Sequence, residues 1–228
     1  MVHIFKNDSH PAVRGVLFDM DGVVLDTETL YARFWREAAA ALGHTMSYEQ
    51  ALGMRSLSNT AGQAQLEAYF GPGVSRAEFR AKRIELMDAY IHVHGVELKP
   101  GIRELLDFLD QRGIRTAITT SSPLERVRRY LGPHGLLERF ECLCSGADVP
   151  RGKPEPDIYL HGAACLGLKP SECIAVEDSP AGVLSAYRAG CMTVMVPDLD
   201  QPNEETKKLL FAKADSLVDI IEWIRECC

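Results

Sequence analysis

The chain has 228 residues, of which 46% are hydrophobic and 25% charged, and its formal net charge is −7. These values are typical of a soluble globular protein with one large domain, or with a core and a smaller insertion. The negative charge argues against nucleic acid and anionic membranes as partners, because both select a basic surface. No apolar run approaches the roughly 20 residues that cross a bilayer. We therefore expect a cytoplasmic monomer that acts on a small molecule.

The seven cysteines lie at scattered positions, and their odd number favours reduced thiols in a cytosol over a disulfide framework. Cys142 and Cys144 alternate as strand residues do, and no second pair is present that would complete a zinc site. His92 and His94 are also too isolated to predict a metal site.

The most informative stretch runs from Val13 to Asp26 and reads VRGVLFDMDGVVLD. Its apolar run over residues 16–18 is typical of a buried strand. That run ends in Asp19, Asp21 and Gly22, which leaves two carboxylates on the same side of the chain, where they repel each other. A divalent cation such as Mg²⁺ binds carboxylate oxygens and removes the repulsion. The alternative is an ordinary strand-ending turn, in which Asp and Gly are common.

The segment that follows predicts helices only. Asp26 or Thr27 is placed to cap the first helix, which Gly43 ends. Helical spacing continues over three further stretches, Tyr48–Met54, Ser58–Phe70 and Ser75–His94. We therefore predict an all-helical insertion over residues 27–98 and a core domain made of residues 1–26 and 99–228.

From Ile102 onward, helical and strand patterns alternate along the chain. Predicted strands cover Ile114–Thr120, a short stretch near Phe140–Cys144, Cys173–Val176 and a last strand at Thr193–Val196. Predicted helices begin at Ile102, at a capping box Ser122-Pro123-Leu124-Glu125, at Pro154, at Ser179-Pro180 and near Leu217. This alternation predicts an α/β fold, with a parallel sheet and helices on both of its faces.

Polar side chains follow several of these strands. In open parallel sheets, ligands bind beyond the carboxyl ends of the strands, so such residues are expected to meet at one edge. They are Asp19, Asp21, Thr120, Ser121, Ser122, Glu177 and Asp178, joined by Lys153 from a polar loop. The set suits phosphoryl transfer, which needs a nucleophile, a cation and fixed donors around the phosphoryl oxygens.

Four motifs, DMDGVVLDT, ITTSS, GKPEPDIY and VEDSPAGVLSAYRAG, together resemble those of the haloacid dehalogenase superfamily. The resemblance covers nearly the whole chain, in order and spacing, and is greatest to the subgroup with a helical cap inserted after the first motif. It implies a Rossmann-like core, a Mg²⁺-dependent reaction on a phosphorylated small molecule, and an aspartyl-phosphate intermediate. A cap of this kind is expected to close over the site and exclude bulk water.

The resemblance also implies a role for each matching residue. Asp19 corresponds to the nucleophile and Asp21 to the general acid and base, while Thr120 and Lys153 correspond to residues that hold the phosphate. The implied metal ligands are Asp19, Glu177, Asp178 and the backbone carbonyl of Asp21. Further phosphate or substrate contacts are expected from Gly22, Ser121, Ser122 and Arg55. Taken singly, these residues also have ordinary interpretations: Thr120 as a strand end, Lys153 as a solvated loop charge, Glu177 and Asp178 as a helix-opening pair, Ser121 and Ser122 as helix caps, and Arg55 as a surface arginine.

We predict a phosphatase of small phosphate monoesters such as sugar phosphates, and a sugar-phosphate mutase related to β-phosphoglucomutase is the main alternative. Such mutases carry a histidine in the helix after the first motif, where this chain has Tyr31. A haloacid dehalogenase has no need of Asp21, and a phosphonate hydrolase needs a cap lysine, for which Lys82 is a candidate. A non-catalytic binding module is expected to have lost Asp19, Asp21 or Lys153.

Overall fold

The computed structural model describes residues 1–5, 12–55, 57, 59–198 and 201–227, with side chains described up to residue 225. Contacts divide the chain into two units, Met1–Leu25 with Glu97–Cys228, and Asp26–Val96. The predicted helix start at Ser58 lies outside the described residues, as does the last cysteine. None of the described helices is both long enough and apolar enough to cross a membrane.

The first unit is built on a seven-stranded sheet. Its strands are β1 (Val2–Ile4), β2 (Gly15–Phe18), β3 (Arg115–Thr120), β4 (Cys142–Ser145), β5 (Cys173–Glu177), β6 (Met192–Met195) and β7 (Ala212–Ala214). Their order across the sheet is β1-β7-β6-β5-β2-β3-β4. Only the β1–β7 pair is antiparallel, and the other described pairs are parallel. The predicted α/β fold with a mostly parallel sheet is therefore confirmed.

Within the described residues, six α-helices belong to the same unit as this sheet. They are α5 (Ile102–Gln111), α6 (Leu124–Leu131), α7 (Asp157–Cys165), α8 (Pro180–Ala189), α9 (Glu204–Leu209) and α10 (Leu217–Cys227). Helix α7 packs against β2, β3 and β4, and α8 packs against β5 and β6. Helix α5 contacts β3 and α10, which in turn contacts β1 and β7.

The central strands of the sheet are fully buried. Every residue of β2 and β5 is buried, as expected of parallel strands that are covered on both faces. Leu17 of β2 belongs to an apolar cluster with Ala117, Ala175 and the α7 residues Tyr159 and Ala163. This packing holds the carboxyl end of β2 firmly in place.

The second unit is entirely helical within its described residues. Its helices are α1 (Glu28–Ala41), α2 (Tyr48–Leu52), α3 (Asn59–Phe70) and α4 (Arg76–His94). Helix α1 packs along α4 and α2, and α3 packs on α4. Trp35, Met54, Leu66 and Phe79 lie in a shared apolar core. We refer to residues 26–96 as the helical unit.

Two element predictions need correction. Thr193–Val196 is not the last strand, because β7 follows it and pairs with the N-terminal strand β1. These two strands have only three residues each, too few for a period-two pattern to emerge. Thr27 occupies the N-cap position of α1, but its side chain makes no capping hydrogen bond, and Asp26 instead accepts one from Thr29.

The prediction of uniformly reduced cysteines is wrong for one pair. Cys142 on β4 and Cys165 at the end of α7 form a disulfide. They are 23 residues apart in the chain, and the packing of α7 on β4 brings them together, which sequence spacing does not reveal. Cys144 and Cys173 are free and buried, and burial raises the pKa of each thiol to about 11.

Shortening Leu17 tests how far the fold depends on the central strand. Leu17→Ala removes a fully buried side chain, so we expect the free energy of unfolding to fall by about 2–5 kcal/mol in urea titrations. The matched change Leu160→Ala, at a residue of α7 that is 44% exposed, should alter it by about 0.5 kcal/mol or less. Equal losses in the two variants would contradict this account of the core.

Candidate active site

The turn after β2 presents the first two acids. β2 lies between β5 and β3, and the Asp19 amide continues its ladder by donating to the Val176 carbonyl at 3.0 Å. Gly22 then adopts a φ of 80°, which favours glycine, and its amide donates to the Leu25 carbonyl. This turn keeps Asp19 and Asp21 at the carboxyl end of the strand instead of letting the chain run on.

Lys153 joins two acids from different strands. Its Nζ lies 2.5 Å from Asp19 Oδ1 and 2.6 Å from Glu177 Oε1. The side chains are 9% exposed for Lys153, 11% for Asp19 and 0% for Glu177. Because all three are largely shielded from water, the ammonium group is the main compensation for the two carboxylates.

Glu177 is held by groups that the sequence alone did not reveal. The Tyr159 hydroxyl donates to Glu177 Oε1 at 2.5 Å, and the Ser179 hydroxyl donates to Oε2 at 3.3 Å. Ser179 also caps α8, since its Oγ accepts from the Gly182 amide at 3.1 Å. Any Cβ on Gly182 would overlap the Glu177 carboxylate, so a glycine is required at this close approach.

The end of β3 supplies hydroxyls beside Asp21. Ser122 Oγ donates to Asp21 Oδ2 at 3.0 Å, and the Ser122 amide donates to Thr120 Oγ1 at 3.0 Å. The predicted capping box at Ser122 is therefore wrong: α6 begins at Leu124, its N-cap position is held by Pro123 without a side-chain cap, and the Ser122 hydroxyl donates to Asp21 instead. Thr120 is buried, whereas Ser121 is exposed.

Three of the acids are arranged to hold a metal ion. Asp19, Glu177 and Asp178 each offer a carboxylate oxygen, and these atoms lie within 4.8 Å of one another. The Asp21 carboxylate is not part of this group. Carboxylate oxygens are the ligands that hard divalent cations prefer, and three negative charges face a single lysine. The residues therefore fit a divalent cation.

The charges around Asp19 also favour a bound cation. Burial raises the pKa of Asp19 to about 8, the charges of Glu177 and Asp21 add to the effect, and Lys153 opposes it. Burial by itself lowers the pKa of Lys153, but the charges of Asp19 and Glu177 reverse this and hold it well above its usual value. Lys153 thus stays charged, and a bound cation would bring the pKa of Asp19 down.

One predicted site residue belongs to the other unit of the chain. Arg55 belongs to the helical unit, where its Nε donates to the Leu52 carbonyl at 3.1 Å and its Nη1 lies 3.7 Å from Glu28 Oε2. Sequence reasoning missed Tyr159 and Ser179 as supports of Glu177. Tyr159 was detectable in principle, since a tyrosine on the buried side of a helix needs a partner for its hydroxyl.

Known proteins are similar to this chain over most of its length. A family model described as haloacid dehalogenase-like hydrolase matches residues 13–190. Hexitol phosphatase A of Escherichia coli is 37% identical over 191 residues, covering 80% of this chain and 82% of the relative.

Solved structures are also similar to this chain over most of its length. CbbY from Rhodobacter sphaeroides in complex with phosphate aligns at a TM-score of 0.76 with 26% identity, covering 91% of this chain and 96% of that one. β-Phosphoglucomutase from Clostridium difficile aligns at 0.74 with 23% identity, covering 94% and 96%, and therefore shows a shared fold.

The stability of the metal-free protein should depend on pH through Asp19. Its pKa is about 8 in the folded state and near 3.8 in the unfolded state. At a pH between these two values the folded state therefore holds one proton more than the unfolded state. The free energy of unfolding should consequently fall as pH rises from about 4 to about 8 in excess chelator. Asp19→Asn removes the titrating group and should flatten the dependence of Tm on pH. Identical slopes for the two proteins would refute this assignment.

Removing the Tyr159 hydroxyl tests the support of Glu177. Tyr159→Phe keeps the buried ring but withdraws a donor from a buried carboxylate, so the free energy of unfolding should drop by about 1.5–3 kcal/mol in urea titrations. Tyr48→Phe makes the same change at a residue that is 46% exposed and should cost about 0.5 kcal/mol or less. A Tyr159→Phe protein as stable as the unmutated chain would show that the bond contributes nothing.

Proposed function

The chain belongs to the haloacid dehalogenase-like hydrolase family, and from this premise we propose that it is a Mg²⁺-dependent phosphatase of small phosphate monoesters such as sugar phosphates. One observation carries the proposal: a buried aspartate, Asp19, is held 2.5 Å from Lys153 at the end of the central strand, with a second acid two residues further on. The names of the hexitol phosphatase and of the phosphate complex of CbbY support the same substrate class.

In the first step, an oxygen of Asp19 attacks phosphorus and the bond from phosphorus to the ester oxygen breaks. Asp21, protonated at this stage, gives its proton to the leaving oxygen, so that an alcohol departs and an aspartyl phosphate remains. The Ser122 hydroxyl, which donates to Asp21 Oδ2, orients this acid.

In the second step, Asp21 is a carboxylate and accepts a proton from water as the water oxygen attacks phosphorus. The bond to the Asp19 oxygen breaks, releasing inorganic phosphate and restoring both side chains to their starting protonation states. Using one residue first as acid and then as base requires that it keep its position throughout. The 3.0 Å bond from Ser122 supports that requirement.

Two further residues act on the phosphoryl oxygens. Thr120 Oγ1 already accepts the Ser122 amide, which leaves its hydroxyl proton to donate to phosphate. Lys153 supplies a fixed positive charge beside the reacting oxygen of Asp19. When bound by Asp19, Glu177, Asp178 and the Asp21 carbonyl, Mg²⁺ would neutralise charge on the acids and on the phosphoryl group.

A panel of phosphorylated metabolites, assayed for phosphate release, tests the proposal. Turnover should require Mg²⁺, stop in excess chelator and return when Mg²⁺ is restored, while Ca²⁺ should bind without supporting turnover because its shell is larger and looser.

Asp19→Asn should lower turnover by at least about 10³-fold, since an amide cannot attack phosphorus. Asp110→Asn, the same change at an exposed residue of α5, should leave it unchanged. Full activity in chelator, or in folded Asp19→Asn protein, would refute the mechanism.

The second candidate is a sugar-phosphate mutase, because the chain shares the fold of β-phosphoglucomutase. Tyr31 stands where such mutases carry a histidine, and a phenol with a pKa near ~10 cannot exchange a proton near neutral pH as an imidazole can. We therefore expect net hydrolysis of β-glucose 1-phosphate, which is measured as phosphate release in the presence of a trace of the bisphosphate. Faster conversion to glucose 6-phosphate than phosphate release would favour the mutase instead.

A further inference from the structure

The ammonium group of the site comes from a loop. Lys153 lies between β4 and α7, in an irregular stretch that ends where α7 begins at Asp157. Loops are ordinarily more mobile than the strands and helices that they connect. Lys153 Nζ nevertheless lies within 2.6 Å of two acids, Asp19 and Glu177, at the ends of buried strands. Its position therefore depends on the contacts that anchor the loop.

Two side chains of α8 hold the residues that follow Lys153. Ser185 is fully buried, and its Oγ donates to the Glu155 carbonyl at 2.5 Å. One nitrogen of Arg188, Nη1, donates to the Pro154 carbonyl at 3.2 Å and to Glu155 Oε1 at 3.0 Å. Three hydrogen bonds thus fasten the two residues after Lys153 to α8.

The same helix also positions Glu177. Ser179, at the N-cap of α8, donates to the Glu177 carboxylate, and Gly182 approaches that carboxylate so closely that a Cβ would overlap it. Gly182, Ser185 and Arg188 follow one another at intervals of three residues, which places them on one side of a helix. A single helix therefore holds both the acid and the loop of the lysine that pairs with it.

Other contacts give the loop its shape. Arg151 makes two hydrogen bonds to Asp157 at the start of α7, from Nε at 3.1 Å and from Nη2 at 2.8 Å. The Glu155 amide donates to the Gly152 carbonyl at 3.0 Å. These contacts lie within the loop and the first turn of α7. The contacts with α8 add the connection to the helix that holds the paired acid.

We propose that Arg188 and Ser185 are positioning residues for Lys153, which keep its ammonium group between Asp19 and Glu177. They act through the two residues that follow Lys153. A displacement of about 1 Å at a reacting group can lower a rate about 10²-fold, so a slight loosening of this loop is enough to be measured. The kinetic consequence rests on the function proposed above, whereas the effect on Lys153 itself does not.

Kinetics of the full chain test the proposal. Arg188→Gln should lower kcat for phosphate release about 10-fold or more and leave KM within about threefold, because the charge beside Asp19 is displaced. Arg188→Lys should keep kcat within about threefold of the unmutated chain, since one nitrogen of Arg188 makes both contacts and a lysine ammonium has enough donors to replace it. Ser185→Ala removes the third bond and should lower kcat about fivefold.

Arg14→Gln is the matched control. Arg14 Nη1 lies 3.0 Å from Glu172 Oε1, the same distance as between Arg188 and Glu155, and this pair precedes β2 and β5 at the opposite end of the sheet. Both pairs are partly exposed, so either substitution should lower Tm by about 4 °C or less. We expect kcat to change in Arg188→Gln alone. An equal loss of kcat in Arg14→Gln would overturn the proposal, because the effect would then be one of stability.

A second measurement does not depend on activity. Both acids accept protons from Lys153, which slows the exchange of its ammonium protons with water, and ¹H–¹⁵N spectra report this rate. Arg188→Gln should raise the exchange rate about fivefold or more, and Arg14→Gln should leave it within about twofold.

The proposal fails if Arg188→Gln changes neither kcat nor the exchange rate, and an active unmutated chain would then retain the proposed function. An active chain in which only one of the two quantities changes also contradicts it, as does a kcat that Arg188→Lys does not restore. Faster exchange in Arg188→Gln, in a chain without phosphatase activity, would leave the positioning role standing and refute the proposed function.

Discussion

The feature on which the structure depends is one buried ammonium group among several carboxylates. Lys153 lies within 2.6 Å of oxygens from both Asp19 and Glu177, and Asp178 adds a third acid to the group. A buried charge without a partner is strongly destabilising, so Lys153 cannot be removed without leaving two acids uncompensated. Even with Lys153 present, negative charge exceeds positive charge, and burial holds the pKa of Asp19 near 8. A bound cation would neutralise this excess negative charge.

The parallel sheet makes such a concentration of charge feasible. Asp19 and Glu177 meet because β2 and β5 are hydrogen-bonded neighbours that end at the same edge, and Lys153, 134 positions from Asp19, contacts both acids from the loop before α7. β2 and β5 bury their apolar residues, and their first acids, Asp19 and Glu177, lie where the strands end. Tyr159, on the helix that packs against β2, then donates to Glu177 from within the apolar layer. The hydrophobic core and the polar cluster are consequently one structure, and the core fixes the distances in the cluster.

Much of this could be predicted from the sequence, because the information is local. The apolar run at residues 16–18 marks a buried strand, Ser179 and Pro180 mark a helix start, and acids after a strand mark the ligand edge. Contacts made across the fold could not be predicted. The Ser122 hydroxyl had a local use as a cap and a distant one on Asp21, and the distant one is observed. The Cys142–Cys165 disulfide and the β1–β7 pair are likewise products of packing, which no spacing encodes.

The net charge of −7 also conceals how positive charge is distributed. At the sheet edge, Lys153 is occupied by Asp19 and Glu177, so the protein alone offers a phosphate group a negative environment. Under the proposed function a phosphate group binds there together with the cation, and each should strengthen the binding of the other, because each neutralises charge that opposes its partner.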